Sequence, residues 1–275
     1  MSVIALSHIT KDYGGGHGAF DVSFAVEQGE VFGFLGPNGA GKTTTIRQLM
    51  GFLAPDSGTC TINGLDCRTQ TAAIQKNMGY IPGEPALPDD MRGGEFIRFL
   101  AAYRGMRGTG RAGELCERFE LDASGRIRRM SKGMKQKLGI VAAFMHDPKV
   151  LILDEPTNYL DEGHIAWLKN FLISYEHAFI LVSHDIPFLN SVVNIIYHVE
   201  NCELTRYVGD YDYFLEQHAL KKRQLEAAYV KQQKEIADLE DFIARNKARV
   251  ATRNMAHSRQ KKLDKMDRIE KVKEK

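Results

Sequence analysis

The sequence predicts an α/β domain built on a mainly parallel sheet, followed by an antiparallel helical hairpin. Three observations predict it. Short β-rich runs, Val31 to Leu35, Val150 to Leu153 and Phe179 to Val182, alternate with helical stretches. Glycine and proline punctuate the chain only as far as Gly209 and Pro187, so nothing obvious breaks a helix beyond them. In that unbroken tail Leu225, Tyr229, Gln232, Ile236, Leu239 and Ile243 alternate four- and three-residue steps, the seam of a coiled coil with one polar position.

At 275 residues and 43% hydrophobic content, the chain can bury a core as one large domain or two ordinary ones. No window approaches the roughly eighteen apolar residues that span a bilayer, and Met1-Ser2-Val3-Ile4-Ala5-Leu6 lacks the charged start and long apolar run of a signal peptide. The expectation is a cytoplasmic protein with no transmembrane segment of its own. Cys60, Cys67, Cys116 and Cys202 form no Cys-x-x-Cys pair, which fits free thiols in a reducing compartment. The net charge of +2 conceals an asymmetry: residues 1 to 213 carry 20 basic and 25 acidic side chains, residues 214 to 275 carry 17 and 10. An acidic body therefore bears a basic tail.

Gly36-Pro37-Asn38-Gly39-Ala40-Gly41-Lys42-Thr43 matches the phosphate-loop pattern, and it lies between an apolar strand and a helix beginning near Thr43. Its glycines let the backbone wrap with N–H groups facing phosphate oxygens, and the helix N-terminus adds partial positive charge. The nucleotide-binding set is Gly36, Asn38, Gly39, Ala40, Gly41, Lys42, Thr43 and Thr44, with Lys42 reaching the β- and γ-phosphates of ATP and the Thr43 hydroxyl ligating magnesium. A glycine-rich turn without a ligand seldom has this strand-to-helix setting.

Val150-Leu151-Ile152-Leu153-Asp154-Glu155 is an apolar strand that ends in two carboxylates. By itself such a pair is most often solvated surface charge. Downstream of a phosphate loop, Asp154 offers magnesium a hard oxygen ligand, and Glu155 can polarise an attacking water as the γ-phosphoryl group leaves. Phe179 to Val182 then delivers Ser183-His184-Asp185 to the same sheet edge. A lone histidine after a strand is commonly surface or satisfied core, but here the order of motifs gives His184 a γ-phosphate to contact.

With these three motifs in this order and spacing, residues 1 to about 213 resemble the ABC ATPases, P-loop NTPase cassettes with a helical subdomain, here about residues 85–145. The resemblance implies further roles. Tyr13 occupies the position where the family stacks an aromatic on adenine. Met130-Ser131-Lys132-Gly133-Met134 looks like the signature loop, through which Ser131 and Gly133 would reach the γ-phosphate held by a second cassette, in a homodimer or a partner chain. Asn158-Tyr159-Leu160-Asp161 resembles the loop that couples the two sites. Two departures stand out. Lys132 and Met134 replace the usual glycine and glutamine of Leu-Ser-Gly-Gly-Gln, and Tyr80-Ile81-Pro82-Gly83-Glu84 lacks the usual coupling-loop glutamine, with Glu84 the candidate stand-in.

The resemblance also divides. Val3 to about Lys149 is similar to ATPase subunits of bacterial drug or ion exporters, whereas Val150 onward, including Leu204-Thr205-Arg206-Tyr207 and the charged tail, looks like ABC-F ribosome-associated proteins, as in a mosaic or a fragment. In ABC-F proteins a hairpin joins two cassettes and its tip enters the ribosome near tRNA, in translation factors and antibiotic-resistance proteins alike. Residues 214–275 would form that basic hairpin, with a turn at Thr252-Arg253-Asn254 and a return arm containing Leu263, Met266 and Ile269. Phe242 to Leu263 holds Arg245, Lys247, Arg249, Arg253, Arg259, Lys261 and Lys262 without one acidic residue, a composition that suits an RNA phosphate backbone. A solvated dimerising coiled coil is the plainer reading of the same charges. The expected output is ribosome or tRNA engagement; the alternative is an exporter ATPase subunit docked on a separate membrane permease.

Overall fold

The computed structural model describes residues 2–246 and 253–268. They form two compact units, Met1–Asp212 and Tyr213–Lys275.

In the first unit, β1 (Ser2–Asp12) and β2 (Gly18–Glu27) form an antiparallel pair, and Ile4, Leu6, Ile9, Val22, Phe24 and Val26 turn inward along them. This alternation of buried and exposed positions is that of a sheet packed on one face only. The next strand is β3 (Val31–Leu35), followed by α1 (Lys42–Leu49), β4 (Ser57–Ile62), the two-residue β5 (Leu65–Asp66), α2 (Thr71–Asn77) and β6 (Met78–Ile81). Asn63 and Gly64, both at positive φ (52° and 75°), make the tight turn between β4 and β5. The helical stretch comprises α3 (Gly93–Tyr103), α4 (Gly110–Arg118), a 3-10 turn (Ile127–Arg129) and α5 (Lys132–Phe144). The chain then runs through β7 (Val150–Asp154), α6 (Glu162–Ile173), β8 (Ala178–Val182), α7 (Ile186–Val192), β9 (Ile195–Glu200) and β10 (Glu203–Val208).

Two sheets result. One is six-stranded in the order β10-β9-β3-β8-β7-β6, parallel throughout except for β10, which pairs antiparallel to β9. Val150 to Leu153 and Ala178 to Val182 are buried at every position, as central parallel strands covered on both faces must be. The other sheet is antiparallel, in the order β2-β1-β4-β5, and the expectation of one mainly parallel sheet did not include it. Phe24 of β2 joins the two sheets, its ring centroid 5.3 Å from Phe32, 6.0 Å from Phe34 and 5.3 Å from Tyr197. Such edge-to-face and tilted aromatic contacts hold a fixed angle better than aliphatic ones. They set the antiparallel sheet beside the phosphate loop that follows β3.

The second unit consists of the long helix α8 (Tyr211–Asn246), which begins at the boundary, and α9 (Arg253–Asp264). Phe242 meets Arg259, Glu235 meets Lys262 and Gln232 meets Asp267, so the two helices run antiparallel. Ile236, Leu239, Ile243 and Leu263 are buried together with Met266 against them, while Leu225 stays 44% exposed. Among the described residues, then, only the distal half of the expected seam is covered. Arg253 and Asn254, read above as turn, are helical; Thr252 and Ile269 lie outside the described residues. No helix among the described residues is long and apolar enough to cross a membrane.

Candidate functional site

Four segments converge on a cavity of about 350 Å³ lined by Tyr13, His17, Gly18, Asn38, Gly39, Gly41, Lys42, Thr43, Thr44, Asp154, Glu155, Val182 and His184. That volume lies in the range of small-molecule sites. The loop from Gly36 to Gly41 links the end of β3 to α1, and its glycines have geometric reasons to be there. Gly41 has φ 93°, and a Cβ on it would lie 2.5 Å from the Gly18 carbonyl oxygen. Gly41→Ala would therefore strain the backbone and force the loop from β2. The expected outcome is a fall in melting temperature together with at least about 10-fold weaker nucleotide binding, read by thermal melts with and without ATP.

Lys42 is the sole lysine or arginine among the lining residues, and its ammonium donates to the Gly36 carbonyl at 2.5 Å and the Pro37 carbonyl at 3.1 Å. Partial burial pulls its pKa below the usual lysine value, while Asp154 and Glu155 nearby act in the opposite sense. Thr45, one turn into α1, returns its hydroxyl to the Gly41 carbonyl at 2.9 Å and so fixes the start of the helix.

Asp154 closes β7, and burial raises its carboxyl pKa, partly offset by the backbone N–H of Gly83 and by Lys42. Glu155 follows with φ 47°, a left-handed conformation that costs a non-glycine residue about 1–2 kcal/mol and turns its side chain out of the strand line. Its N–H donates to Val182 on β8 at 2.8 Å, and its Oε2 accepts from the His184 N–H at 3.1 Å. Burial raises the Glu155 pKa as well, with the His184 backbone bond opposing the shift. The imidazole Nε2 of His184 stands 3.6 Å from Oε1 of Glu155, and that oxygen is buried with no hydrogen-bond partner. A buried acceptor left unpaired is costly, so this atom marks a place for a donor from substrate or water.

The residues present fit the magnesium expected from the motifs. Asp154 and the Thr43 hydroxyl offer oxygen atoms to one cavity beside Lys42, and hard oxygen donors are what that ion takes.

Most of the sequence-derived set is therefore gathered here: Tyr13, Asn38, Gly39, Gly41, Lys42, Thr43, Thr44, Asp154, Glu155 and His184 line the cavity. Gly36 and Ala40 belong to the loop without lining it. Ser131 and Gly133 lie apart, at the start of α5, where the Ser131 hydroxyl accepts the Met134 N–H at 3.2 Å. Glu84, the candidate stand-in, is exposed and absent from the lining; its neighbour Gly83 is the residue that touches Asp154. His17 and Gly18 were missed. The run Gly14-Gly15-Gly16, all at positive φ, closes a turn in which Tyr13 N–H bonds the His17 carbonyl at 2.9 Å, and a triple glycine beside Tyr13 was the signal that could have found it.

Three of the basic residues named for the second unit have partners within it. Arg245 pairs with Asp241 at 2.9 Å, Lys262 with Glu235 at 2.7 Å, and the Arg259 guanidinium lies 3.5 Å from the Phe242 ring centroid. Lys261 is exposed, and Lys247, Arg249 and the Arg253 side chain lie outside the described residues.

Residues 19–158, just over half of the chain, match a family model described as ABC transporter, and residues 197–275 match a second model of the same description. The chain belongs to the ABC transporter family. It contains an ATPase cassette of that family. Among curated relatives, the uncharacterized ABC transporter ATP-binding protein YfmM of Bacillus subtilis (strain 168) is 42% identical over 315 aligned residues, covering 100% of this chain and 60% of its own length. The Nod factor export ATP-binding protein I of Rhizobium etli is 34% identical, with 67% of this chain and 61% of the relative aligned. A solved ATP-binding subunit of an ABC transporter superposes with TM-score 0.71 at 27% identity, covering 80% of this chain and 94% of that one. A dimeric ATP-binding cassette bound to ADP and Pi gives 0.65 at 22% identity over 74% of this chain and 98% of that one, and shares the fold. The cassette and its helical extension thus span about three fifths of the length of the first of these relatives. One relative aligns across the whole chain, so the mosaic organisation expected around Lys149 finds no support in it.

Proposed function

We propose that this cassette binds magnesium-ATP in the cavity around Lys42, closes on a second cassette and hydrolyses ATP to drive conformational change in a separate membrane permease. One observation carries the ATPase part: Lys42, Thr43, Asp154, Glu155 and His184, drawn from three separate segments, line a single cavity. Thr43 and Asp154 are the residues that would hold magnesium, whose chemistry when bound is to offset phosphate charge. The Lys42 ammonium exchanges its two carbonyl partners for phosphate oxygens. Glu155 accepts the proton of the attacking water, and its raised pKa makes it a better base than a solvated carboxylate. His184, whose backbone N–H holds Oε2, keeps that carboxylate turned toward the cavity. Ser131 and Gly133, outside the cavity of their own protomer, are left to serve the nucleotide of the second cassette.

The permease reading is supported by the relatives, whose names are those of transporter ATP-binding proteins. A cytoplasmic setting suits the four free thiols. A second reading, engagement of the ribosome or tRNA through the hairpin, draws on the acid-free basic stretch from Phe242 to Leu263. Arg245 and Lys262 pair with Asp241 and Glu235 but stay largely exposed, so the hairpin does not decide between the readings, and the relatives' names favour the permease.

The test is turnover against protein concentration. Hydrolysis per protomer should rise with concentration as composite sites form, and activity strictly independent of dilution would reject the dimer. For the output, a Glu155→Gln chain should remain with membranes when co-expressed with its permease and stay off ribosomes in sedimentation. Co-sedimentation with ribosomes would instead favour the second reading.

A further inference from the structure

Helix α5 and the loop that leaves Glu155 meet along one helical stripe. Lys132, Gly133, Gln136 and Lys137 are spaced so that they share a face. Lys132 Nζ lies 5.2 Å from the centroid of the Tyr159 ring and 3.5 Å from its hydroxyl. A Cβ on Gly133 would come within 2.9 Å of the Tyr159 carbonyl oxygen, a closeness of backbones that only glycine permits. Gln136, fully buried, donates from Nε2 to the Pro156 carbonyl at 3.2 Å, and Lys137 reaches Asp161 at 3.9 Å. The loop itself has little slack. Asn158 N–H bonds the Glu155 carbonyl and Leu160 N–H the Thr157 carbonyl, each at 3.2 Å, and both Glu155 and Tyr159 (φ 62°) are left-handed.

We propose that Lys132 and Tyr159 are a positioning pair that ties the signature segment of each protomer to the placement of Glu155 in that same protomer. The proposal rests on the ATPase reading above and assigns to that site a route of coupling. In the usual signature a glycine stands at this position, with no side chain to reach a tyrosine 27 residues away, so the link belongs to this chain's own departures from the pattern. The ammonium lies at the hydroxyl end of Tyr159, 3.5 Å from that oxygen and 5.2 Å from the ring centroid, so the hydroxyl is its nearest acceptor. A displacement of the first turn of α5 therefore carries Tyr159 with it. Because Gln136 pins Pro156 and the intervening turns are hydrogen-bonded, that movement reaches Glu155 instead of being absorbed in the loop. When the signature segment engages a nucleotide held by a second cassette, the protomer's own carboxylate is shifted at the same moment.

The experiment measures steady-state ATP turnover and equilibrium binding of a fluorescent ATP analogue for the full chain carrying Lys132→Ala, Tyr159→Leu, both together, Lys132→Arg and Tyr159→Phe. Thermal melts confirm that each variant folds. Lys132→Ala and Tyr159→Leu should each lower kcat about 10-fold with KM and analogue affinity within about two-fold, and the double variant should be no slower than either. Lys132→Arg, which keeps a cationic donor within reach of the hydroxyl, should retain most of the rate, whereas Tyr159→Phe, which removes that acceptor, should be slowed as Tyr159→Leu is. Losses that multiply in the double variant would overturn the pair, as expected if Lys132 acts directly on the partner's nucleotide. So would an arginine variant as slow as the alanine one. An unaltered chain that binds the analogue but does not turn ATP over would overturn the ATPase reading itself, and the pair with it.

Discussion

Lys42→Ala is expected to weaken ATP binding by at least about 100-fold and to abolish measurable hydrolysis. The lysine is the sole lysine or arginine lining the cavity, and it faces two carboxylates that burial already holds above their usual pKa. Removing it takes away a charge-assisted donor for the terminal phosphates, an effect of about 3 kcal/mol for a preorganised donor of this type. It also leaves Asp154 and Glu155 to repel the incoming polyphosphate. Lys42→Arg should fare little better, because the carbonyls of Gly36 and Pro37 grip a compact ammonium at 2.5 and 3.1 Å where a planar fork would not fit. Titration with a fluorescent ATP analogue checks both variants. Retention of near-normal affinity in Lys42→Ala would show that the cavity does not take phosphates in the assigned orientation.

Glu155→Gln should slow hydrolysis by about 100- to 1000-fold, the range for loss of a general base, while leaving ATP affinity nearly unchanged and allowing ATP-bound dimers to accumulate. The same change should stabilise the nucleotide-free protein. Burial raises the carboxyl pKa of Glu155 in the folded chain above its unfolded value, so the folded state holds its proton longer. Folding stability contributed by this group is then greatest below the ordinary carboxylate range. It declines as pH rises through the unfolded and then the folded pKa, and at neutral pH the ionised carboxylate opposes folding. Glutamine removes that penalty. A melting temperature higher by ~2–4 °C at pH 7.5, converging with the unaltered chain near pH 4, is expected from the size of typical functional-site trade-offs. Calorimetry at the two pH values separates the outcomes, since an equal gain at both would mean that charge is not the cause.

Much of the site was legible because its chemistry is carried by short local motifs. The spacing from Gly36 to Thr43 specifies a strand-to-helix loop without reference to the rest of the chain, and Asp154-Glu155, ending an apolar run, gains its meaning from that loop upstream. What was illegible depends on contacts distant in sequence. The two-residue β5 has no periodicity to read, and it becomes a strand only because β4 offers it an edge. Glu84 looked like the replacement for a missing glutamine, but the extended run after β6 presents Gly83 to Asp154 and leaves Glu84 in solvent. The basic tail looked free by composition, yet Asp241 lies one turn from Arg245 and Glu235 faces Lys262 from the other helix. The contact between Lys132 and Tyr159 depends on tertiary structure alone.

In this reading the cavity grips the terminal phosphates of ATP beside a magnesium-holding acid. Isothermal titration of the purified chain with ATP, with magnesium and then with excess chelator, tests it most directly. One nucleotide per chain should bind with a Kd between about 1 µM and 1 mM, weakened several-fold by the chelator. No binding at millimolar ATP, or binding indifferent to magnesium and to Asp154→Asn, would contradict it.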